Sequence, residues 1–175
     1  TAAKLADDSV VTANLTDATI AGLAGRKNIA INGAMQVAQR GTKTGIGAST
    51  ATVYGACDRF NIYTQNSAGR VTASQEAVTD LEGFPNALKI QCTTADTSVA
   101  ANELFILGQR FEGQDVQGIQ KGFSTAKEVT VSFYAKANQT RVHVLEIYDV
   151  DNTRQCSKAF TVTDTFQRFS LTFPA

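Results

Sequence analysis

The fold class is decided by two stretches, "KEVTVSFYAKA" at residues 127–137 and "RVHVLEIYDV" at residues 141–150. In the first stretch, Val129, Val131 and Phe133 recur with a period of two and share one face. In the second, Val142 and Val144 lie on one face, and His143, Leu145 and Ile147 lie on the other. This period is typical of a β-strand, because successive side chains point to opposite faces of a sheet. We therefore predict strands in this half of the chain.

Segments of the same kind occur on either side of these two. Turn residues separate them at spacings of about 8–15 residues, which is typical of an antiparallel β-sandwich. They are "ATVYGACDRFNIYTQ" (51–65), "NALKIQCTTA" (86–95), "ELFILGQRFEG" (103–113), "KAFTVTD" (158–164) and "FQRFSLTFP" (166–174). We predict an all-β, antiparallel sandwich of roughly eight to ten short strands, with a helical turn or long loop at residues 114–126.

The stretch "NIAINGAMQVAQRG" (28–41) also alternates, with Ile29 and Ile31 before Asn32-Gly33 and Met35 and Val37 after it. Asn-Gly is a strong signal for a two-residue hairpin turn. We therefore expect a pair of short strands on either side of this turn.

Residues 1–20 follow a different pattern, in which "AKLADDSV" (3–10) is repeated as "ANLTDATI" (13–20). A period of ten does not match a heptad, and one such unit has too little apolar surface to be stable alone. An amphipathic helix is the alternative, but the β-branched clusters at the ends of the two units favour extended structure. The apolar positions that copies of the repeat would share are Leu5, Val10, Leu15 and Ile20.

The glycine-rich "AGLAGR" (21–26) ends the repeat. The sequence therefore predicts two regions, an N-terminal repeat and linker at residues 1–27 and a β-sandwich at residues 28–175. The chain has no initiating Met and no apolar core of a signal peptide, so we expect a processed protein or a fragment of a longer one.

Composition limits the classes of function. Apolar residues make up 43% of the chain and charged residues 18%, which is typical of a folded domain. The sixteen basic and sixteen acidic residues cancel, whereas a nucleic-acid-binding protein usually has a basic face. We expect no nucleic-acid partner, and no membrane insertion because the chain lacks a run of about eighteen apolar residues.

The three cysteines, Cys57, Cys92 and Cys156, are far apart and form no CxxC pair. We interpret them as free, buried thiols rather than as a disulfide framework or a zinc site. The one histidine, His143, lies in a strand-like run without a nucleophile motif such as GxSxG. A histidine that faces solvent or packs against a partner is the favoured interpretation, and we predict no enzymatic activity.

The stretch "YDVDNTRQ" (148–155) is the most ligand-like part of the sequence, because it alternates oxygen donors. A calcium loop would also need the later Gly and Glu of an EF-hand, so a hairpin turn built on Asp and Asn is favoured over a structural calcium ion. We expect no metal and no cofactor. The candidate ligand-binding residues are Tyr148, Asp149, Asp151, Asn152 and Arg154.

Sugar recognition commonly uses exposed aromatic faces, but the chain has no Trp and four Tyr. Those tyrosines, Tyr54, Tyr63, Tyr134 and Tyr148, are either stacking candidates or core and interface residues. The loop "QRFEGQDVQG" (109–118) offers Gln, Arg and Asp between glycines. It is either a polar-ligand loop or a capped connection, and the second interpretation is favoured.

Several segments together resemble a family of bacteriophage tail-fibre and minor virion proteins with an "N-x-x-I-N-G-x-M-x-V-A-Q-R-G" signature. The resemblance covers residues 28–174 in order, and the repeat at residues 1–20 is similar to the short repeats that precede the first globular domain in such fibres. The matching segments are "NIAINGAMQVAQRGT" (28–42), "DRFNI" (58–62), "ALKIQCTTADTSVAANE" (87–103), "QRFEGQDVQG" (109–118), "KEVTVSFYAKAN" (127–138) and "FTVTDTFQRFSLTFP" (160–174).

The resemblance implies a jelly-roll β-sandwich similar to carbohydrate-binding modules, preceded by a short, extended, trimeric stalk. The family typically continues with further strands, so it also implies a domain truncated at its C-terminus, and Tyr134 stands where relatives often carry Trp. Implied partners are two further copies of the chain, other virion tail proteins and a host surface polysaccharide. Such a protein is made in the host cytoplasm and acts outside the cell as part of the virion.

Three functions remain open at this point. The first is a non-enzymatic tail-fibre protein that attaches the virion to a host surface through glycan binding. The second is a purely structural connector, spacer or head-fibre domain that binds only other virion proteins. The third is the carbohydrate-binding module of a polysaccharide-degrading enzyme.

Overall fold

A computed structural model describes residues 28–175 of the chain. The predicted stalk, with Leu5, Val10, Leu15 and Ile20, lies outside the described residues. Residues Thr1–Ile31 and Asn32–Ala175 form two separate compact units. In the described part of the first, the main-chain nitrogen of Ala30 donates to Asn28 Oδ1 at 3.0 Å.

The second unit is nearly all β with antiparallel sheets, as the sequence predicted. Its short helical segment, α1 (Gly113–Val116) continued by a 3-10 turn at Gln117–Ile119, begins one residue before the predicted 114–126 connection and otherwise lies within it. The strands of the described chain are β1 (Lys43–Ile46), β2 (Ala51–Tyr54), β3 (Phe60–Gln65), β4 (Arg70–Ala77), β5 (Asn86–Thr94), β6 (Leu104–Gln109), β7 (Val129–Ala135), β8 (Arg141–Asp149), β9 (Arg154–Val162) and β10 (Gln167–Phe173).

All strand pairs are antiparallel. One sheet has β4 between β1 and β5, and a second has β3 between β2 and β6. β7 pairs with β10, and β8 and β9 form a hairpin. Because β8 and β9 are joined by a tight turn, their pairing is the most local in the fold.

The main core lies between the two three-stranded sheets. Ile46 and Ala73 from the first sheet and Ile62 from the second belong to one buried cluster, together with Ala56. Complete burial of an isoleucine side chain contributes about 1.5–3 kcal/mol. The partly buried residues packed against the cluster are Val53, Val71, Leu88 and Ile90.

A second cluster is aromatic and joins β9 to the β7–β10 pair. The Phe160 ring centroid lies 5.1 Å from that of Phe133 and 5.0 Å from that of Phe169. His143 stacks on Phe160 at 5.8 Å, so the histidine packs against an aromatic partner as the sequence indicated. These tilted and edge-on ring pairs are favoured over face-to-face stacking.

The structure corrects the expected strands at residues 28–41. Residues 31–34 form the predicted turn, but no strand flanks it. Asn32 and Met35 both have left-handed main-chain conformations, with φ of 59° and 54°. Because the Asn32 side chain bonds to the main chain of its own loop, the segment folds back on itself instead of pairing as a hairpin.

The prediction for the cysteines is half right. All three thiols are free, but only Cys57 is buried, whereas Cys92 and Cys156 are exposed. Cys57 lies in the loop before β3, beside the core residue Ala56. Cys92 is near the end of the edge strand β5 and Cys156 is in the two-stranded hairpin, and both places lack covering strands in the described chain.

β6 is the most apolar edge of the described fold. It pairs with β3 on one side only, and the four apolar residues at its start, Leu104–Leu107, are all exposed. On the outer face of the β8–β9 hairpin, Val142 and Val144 are exposed as well. Apolar surface of this kind on a sheet edge or face commonly marks a place where another chain packs.

Candidate functional site

A cleft of about 450 Å³ opens at one end of the sheet formed by β2, β3 and β6. Ligand pockets commonly have volumes of about 300–1,000 Å³. Three stretches of chain form its walls: the loop before β1, the turn from β2 into β3, and the segment that follows β6. The lining residues come from positions 39–40, 54–55, 58–59 and 110–112.

Strand register explains why distant arginines meet here. Phe60 of β3 pairs with Gln109 of β6, so Arg59, which precedes β3, and Arg110, which follows β6, emerge at the same end of the sheet. Tyr54, the last residue of β2, pairs with Asn61 next to them. The antiparallel pairing therefore gathers residues that are about fifty positions apart in the sequence.

The first wall is held by the side chain of Asn32. Its amide nitrogen donates to the carbonyl oxygens of Val37 and Asp58, each at 2.9 Å, and its oxygen accepts from the Val37 nitrogen at 3.0 Å. The main-chain nitrogen of Asp58 donates to the Val37 oxygen at 2.8 Å. These bonds fix the loop that carries Gln39 and Arg40 to the loop that carries Asp58.

The second wall, residues 55–59, has an unusual main chain. Ala56 and Arg59 are both left-handed, with φ of 58° and 74°, a conformation that non-glycine residues rarely adopt. Four of the seven such residues in the described chain lie in the two loops around the cleft. Strain of this kind often occurs at ligand sites, where the surrounding structure holds it in place.

Cys57 is the fully buried residue of this wall. Burial raises the pKa of its thiol above the usual value of 9.0, and the neighbouring Asp58 carboxylate raises it further. The neutral thiol is thus the form that the fold prefers, and a neutral, buried cysteine is a poor nucleophile. The Cys57 Sγ atom lies 4.0 Å from the main-chain oxygen of Met35, so the residue packs against the neighbouring loop.

The cleft combines positive charge with aromatic surface. Arg40, Arg59 and Arg110 line it together with the carboxylates Asp58 and Glu112. Tyr54 and Phe111 are 40% and 42% exposed, so their rings are accessible to a ligand. Guanidinium groups recognise planar anions, and aromatic faces pack against apolar ligand surface. The arrangement is therefore suited to a polar ligand with an anionic group and a ring.

The ligand-binding residues predicted from sequence lie elsewhere, together at the β8–β9 turn. Asp149 and Arg154 are the last cross-strand pair of the hairpin. Asp149 Oδ1 accepts from the nitrogens of Asp151 and Asn152, and its Oδ2 accepts from Asn152 Nδ2 at 2.7 Å. These bonds, with the Asn152 side chain first, lower the pKa of Asp149.

The Asp149 bonds are those of a turn closed by an Asx side chain, the interpretation that the sequence favoured. Tyr148 is exposed beside it. Within residues 28–175, no group of three or more His, Cys, Asp or Glu side chains is arranged to hold a metal ion. In the same residues no helix has the length and apolar character to cross a membrane.

The other aromatic candidates have structural partners. The Tyr63 hydroxyl donates to Gln65 Oε1 at 2.7 Å, and the Tyr134 ring packs against Phe84 at 5.3 Å. Tyr54 is thus the one tyrosine of the four that lines the cleft. The loop 109–118, for which a capped connection was favoured, contributes Arg110, Phe111 and Glu112 to it.

Gln39, Arg40, Asp58 and Arg59 were not among the ligand-binding residues predicted from the sequence. A signal was nevertheless present, because each lies in a segment quoted for the tail-fibre resemblance, at residues 28–42 or 58–62. Comparison with family models, curated proteins and solved structures gives no match to this chain.

Proposed function

We propose that this chain is part of a non-enzymatic virion appendage, a bacteriophage tail fibre, and that its β-domain attaches the particle to a glycan on the host surface. The proposal rests on where the lining residues of the cleft lie in the sequence. Seven of its nine lining residues belong to three segments that resemble the tail-fibre family, at 28–42, 58–62 and 109–118.

The proposed fold of residues 28–175 is a jelly roll similar to carbohydrate-binding modules. Two three-stranded antiparallel sheets that share one buried cluster are compatible with such a sandwich. The cleft is then the ligand site. Its exposed Tyr54 and Phe111 rings supply the apolar surface for a sugar ring, and the polar side chains around them orient the hydroxyl groups.

Attachment through a single shallow cleft would be weak. We propose that the trimer strengthens attachment by presenting three such clefts together. Three sites on one fibre, and several fibres on one particle, convert millimolar contacts into durable attachment through effective concentration. We assign trimer formation to the repeat, with Leu5, Val10, Leu15 and Ile20 as its shared apolar positions. The solution masses of residues 1–175 and 28–175 test this, with a trimer that becomes a monomer as the expected result.

The test of glycan attachment is binding of the purified chain to a panel of immobilised bacterial capsules and lipopolysaccharides. Binding to at least one polysaccharide, abolished by removal of that polysaccharide from the surface, supports the proposal. Absence of binding to every surface, with a folded trimeric protein, contradicts it.

A second candidate is a virion connector, and the apolar surface of β6 favours it. Leu104–Leu107 on an open sheet edge would suit packing against another virion protein. The connector function predicts that the chain binds no glycan but assembles with a purified adjacent fibre segment. It also predicts that the Ile106→Lys substitution abolishes this assembly.

A further inference from the structure

Three arginines in the cleft have no side-chain partner among residues 28–175. Among residues 28–175, no carboxylate lies within 4.0 Å of Arg40, Arg59 or Arg110, and none of the three donates a hydrogen bond to the described chain. Three arginines elsewhere do donate hydrogen bonds: Arg70 to the Gly69 oxygen at 2.7 Å, Arg141 to Gln139 Oε1 at 2.6 Å and Arg168 to Ser132 Oγ at 3.5 Å.

Both carboxylates of the cleft accept hydrogen bonds from other groups of the protein. Asp58 Oδ1 accepts from the main-chain nitrogen of Gln39 at 3.1 Å, and Glu112 Oε2 accepts from Gln114 Nε2 at 2.8 Å. With three guanidinium groups against two carboxylates, the cleft has one net positive charge. In a chain with no net charge, this is a local field that favours anions.

From these observations we propose that the cleft selects an anionic sugar unit, one that carries a carboxylate or phosphate group. The inference rests on the glycan-binding function proposed above and names the class of glycan. A guanidinium group forms two parallel hydrogen bonds to either anion, with more directional specificity than an ammonium group. The rings of Tyr54 and Phe111 pack against the carbon face of the same sugar.

The experiment uses the full chain and ligand-observed saturation-transfer NMR with four probes. Trigalacturonate and its neutral methyl ester form one pair, and glucose 6-phosphate and glucose form the other. We expect saturation transfer to at least one anionic probe and to neither neutral probe. The two anionic probes distinguish a carboxylated from a phosphorylated unit. Raising the salt concentration should weaken binding several-fold, because the cleft is open to solvent.

Substitutions then locate the site. Arg40→Gln and Arg110→Gln should each weaken binding of the anionic probe about tenfold, since each removes a charge-assisted hydrogen bond. Arg168→Gln is the matched control, because Arg168 lies on β10 and not in the cleft, and it should change binding less than about twofold. Thermal unfolding verifies that each variant is folded.

Three outcomes overturn the inference. The first is equal binding of the neutral and anionic probes, and the second is no binding of either anionic probe. The third is anionic binding that survives both cleft substitutions. None of them depends on the polysaccharide panel. Neutral-glycan binding on that panel would retain the proposed function and remove only the anionic specificity. Failure on the whole panel would remove the function itself.

Discussion

Asn32 Nδ2 lies 2.9 Å from the main-chain oxygen of Asp58, a residue 26 positions further along the chain. This bond joins two of the three walls of the cleft. It gives a physical reason for the Asn of the Asn32-Gly33 pair in "NIAINGAMQVAQRG" (28–41). Asn tolerates the left-handed conformation found here, and its side chain both donates and accepts.

We expect Asn32→Ala to lower the free energy of unfolding by about 2–4 kcal/mol. The substitution removes three hydrogen bonds and leaves alanine in a left-handed conformation. Urea denaturation measures the change. Asn138→Ala is the control, because Asn138 is exposed, and a loss of similar size there would contradict the assignment.

Gly47 should not tolerate a side chain. Its φ is 110°, and a Cβ atom added to it would fall on the carbonyl oxygen of Gly69. We expect Gly47→Ala to reduce stability by about 3 kcal/mol or more, since main chain must move. Gly33→Ala meets no atom within 4 Å and should cost less than about 1 kcal/mol. Equal melting temperatures for the two variants would refute this explanation.

The aromatic cluster should be the main support of the β8–β9 hairpin. Phe160 contacts Phe133, Phe169 and His143, so Phe160→Ala is expected to cost about 2–4 kcal/mol. Phe123 is 72% exposed, and Phe123→Ala should be nearly neutral. The denaturant midpoints of the two variants measure the difference in stability. The prediction fails if the two variants are equally stable.

Thiol labelling should separate the cysteines. At pH 8, Cys92 and Cys156 are exposed and should react with a disulfide reagent about a hundredfold faster than Cys57, which is buried and has a raised pKa. The slow phase should vanish in Cys57→Ala and accelerate in denaturant. Three equally fast thiols in the folded protein would be inconsistent with this structure.

Acid should destabilise the fold through its hydrogen-bonded carboxylates. The nitrogens of Ser98 and Ala68 donate to Asp96, and the Ser98 bond is the first cause of its lowered pKa. Because the folded pKa lies below the ordinary 3.8, this stabilisation is complete above that value and is lost as the pH falls through the folded pKa. The pKa values of Asp80 and Asp149 are lowered in the same direction.

Unfolding free energies measured from pH 7 downward should therefore be level at first and decline below about pH 4. The decline should be shallower in Asp96→Asn, which has no carboxylate to protonate. An identical slope in this variant would count against the bonds to Ser98 and Ala68.

Strands with regular alternation were predictable from sequence, and β7 and β8 are examples. β4 was missed because "RVTASQEA" has only Val71 and the small Ala73 on its core face. The strands expected at residues 28–41 failed for the opposite reason. There the apolar residues had the spacing of strands. The Asn32 side chain, however, bonds to the main chain of Val37, so the segment forms a closed loop instead of the hydrogen bonds of a hairpin.

The cleft was beyond sequence reasoning because it depends on register. Nothing in the spacing of Arg59 and Arg110 indicates that they lie at one end of a sheet, and only the Phe60–Gln109 pair brings them there. The β8–β9 turn was easier to recognise, since an Asx turn depends on neighbours in the chain. Local chemistry could be predicted, whereas the convergence of distant loops could not.

The bond between Asn32 and Asp58 also constrains how such domains can diverge. Two loops joined by a hydrogen bond cannot gain or lose residues independently, because a change of length in one loop would move the donor or acceptor away from the other. Arg40, three residues after Val37 in the first loop, and Arg59, next to Asp58 in the second, would therefore shift together. Among descendants of this sequence, insertions near residues 33–36 should be accompanied by compensating changes near 55–57. Asn32 makes no bond to the segment after β6, so we expect length changes at residues 110–112 to need no compensating change in the other two loops.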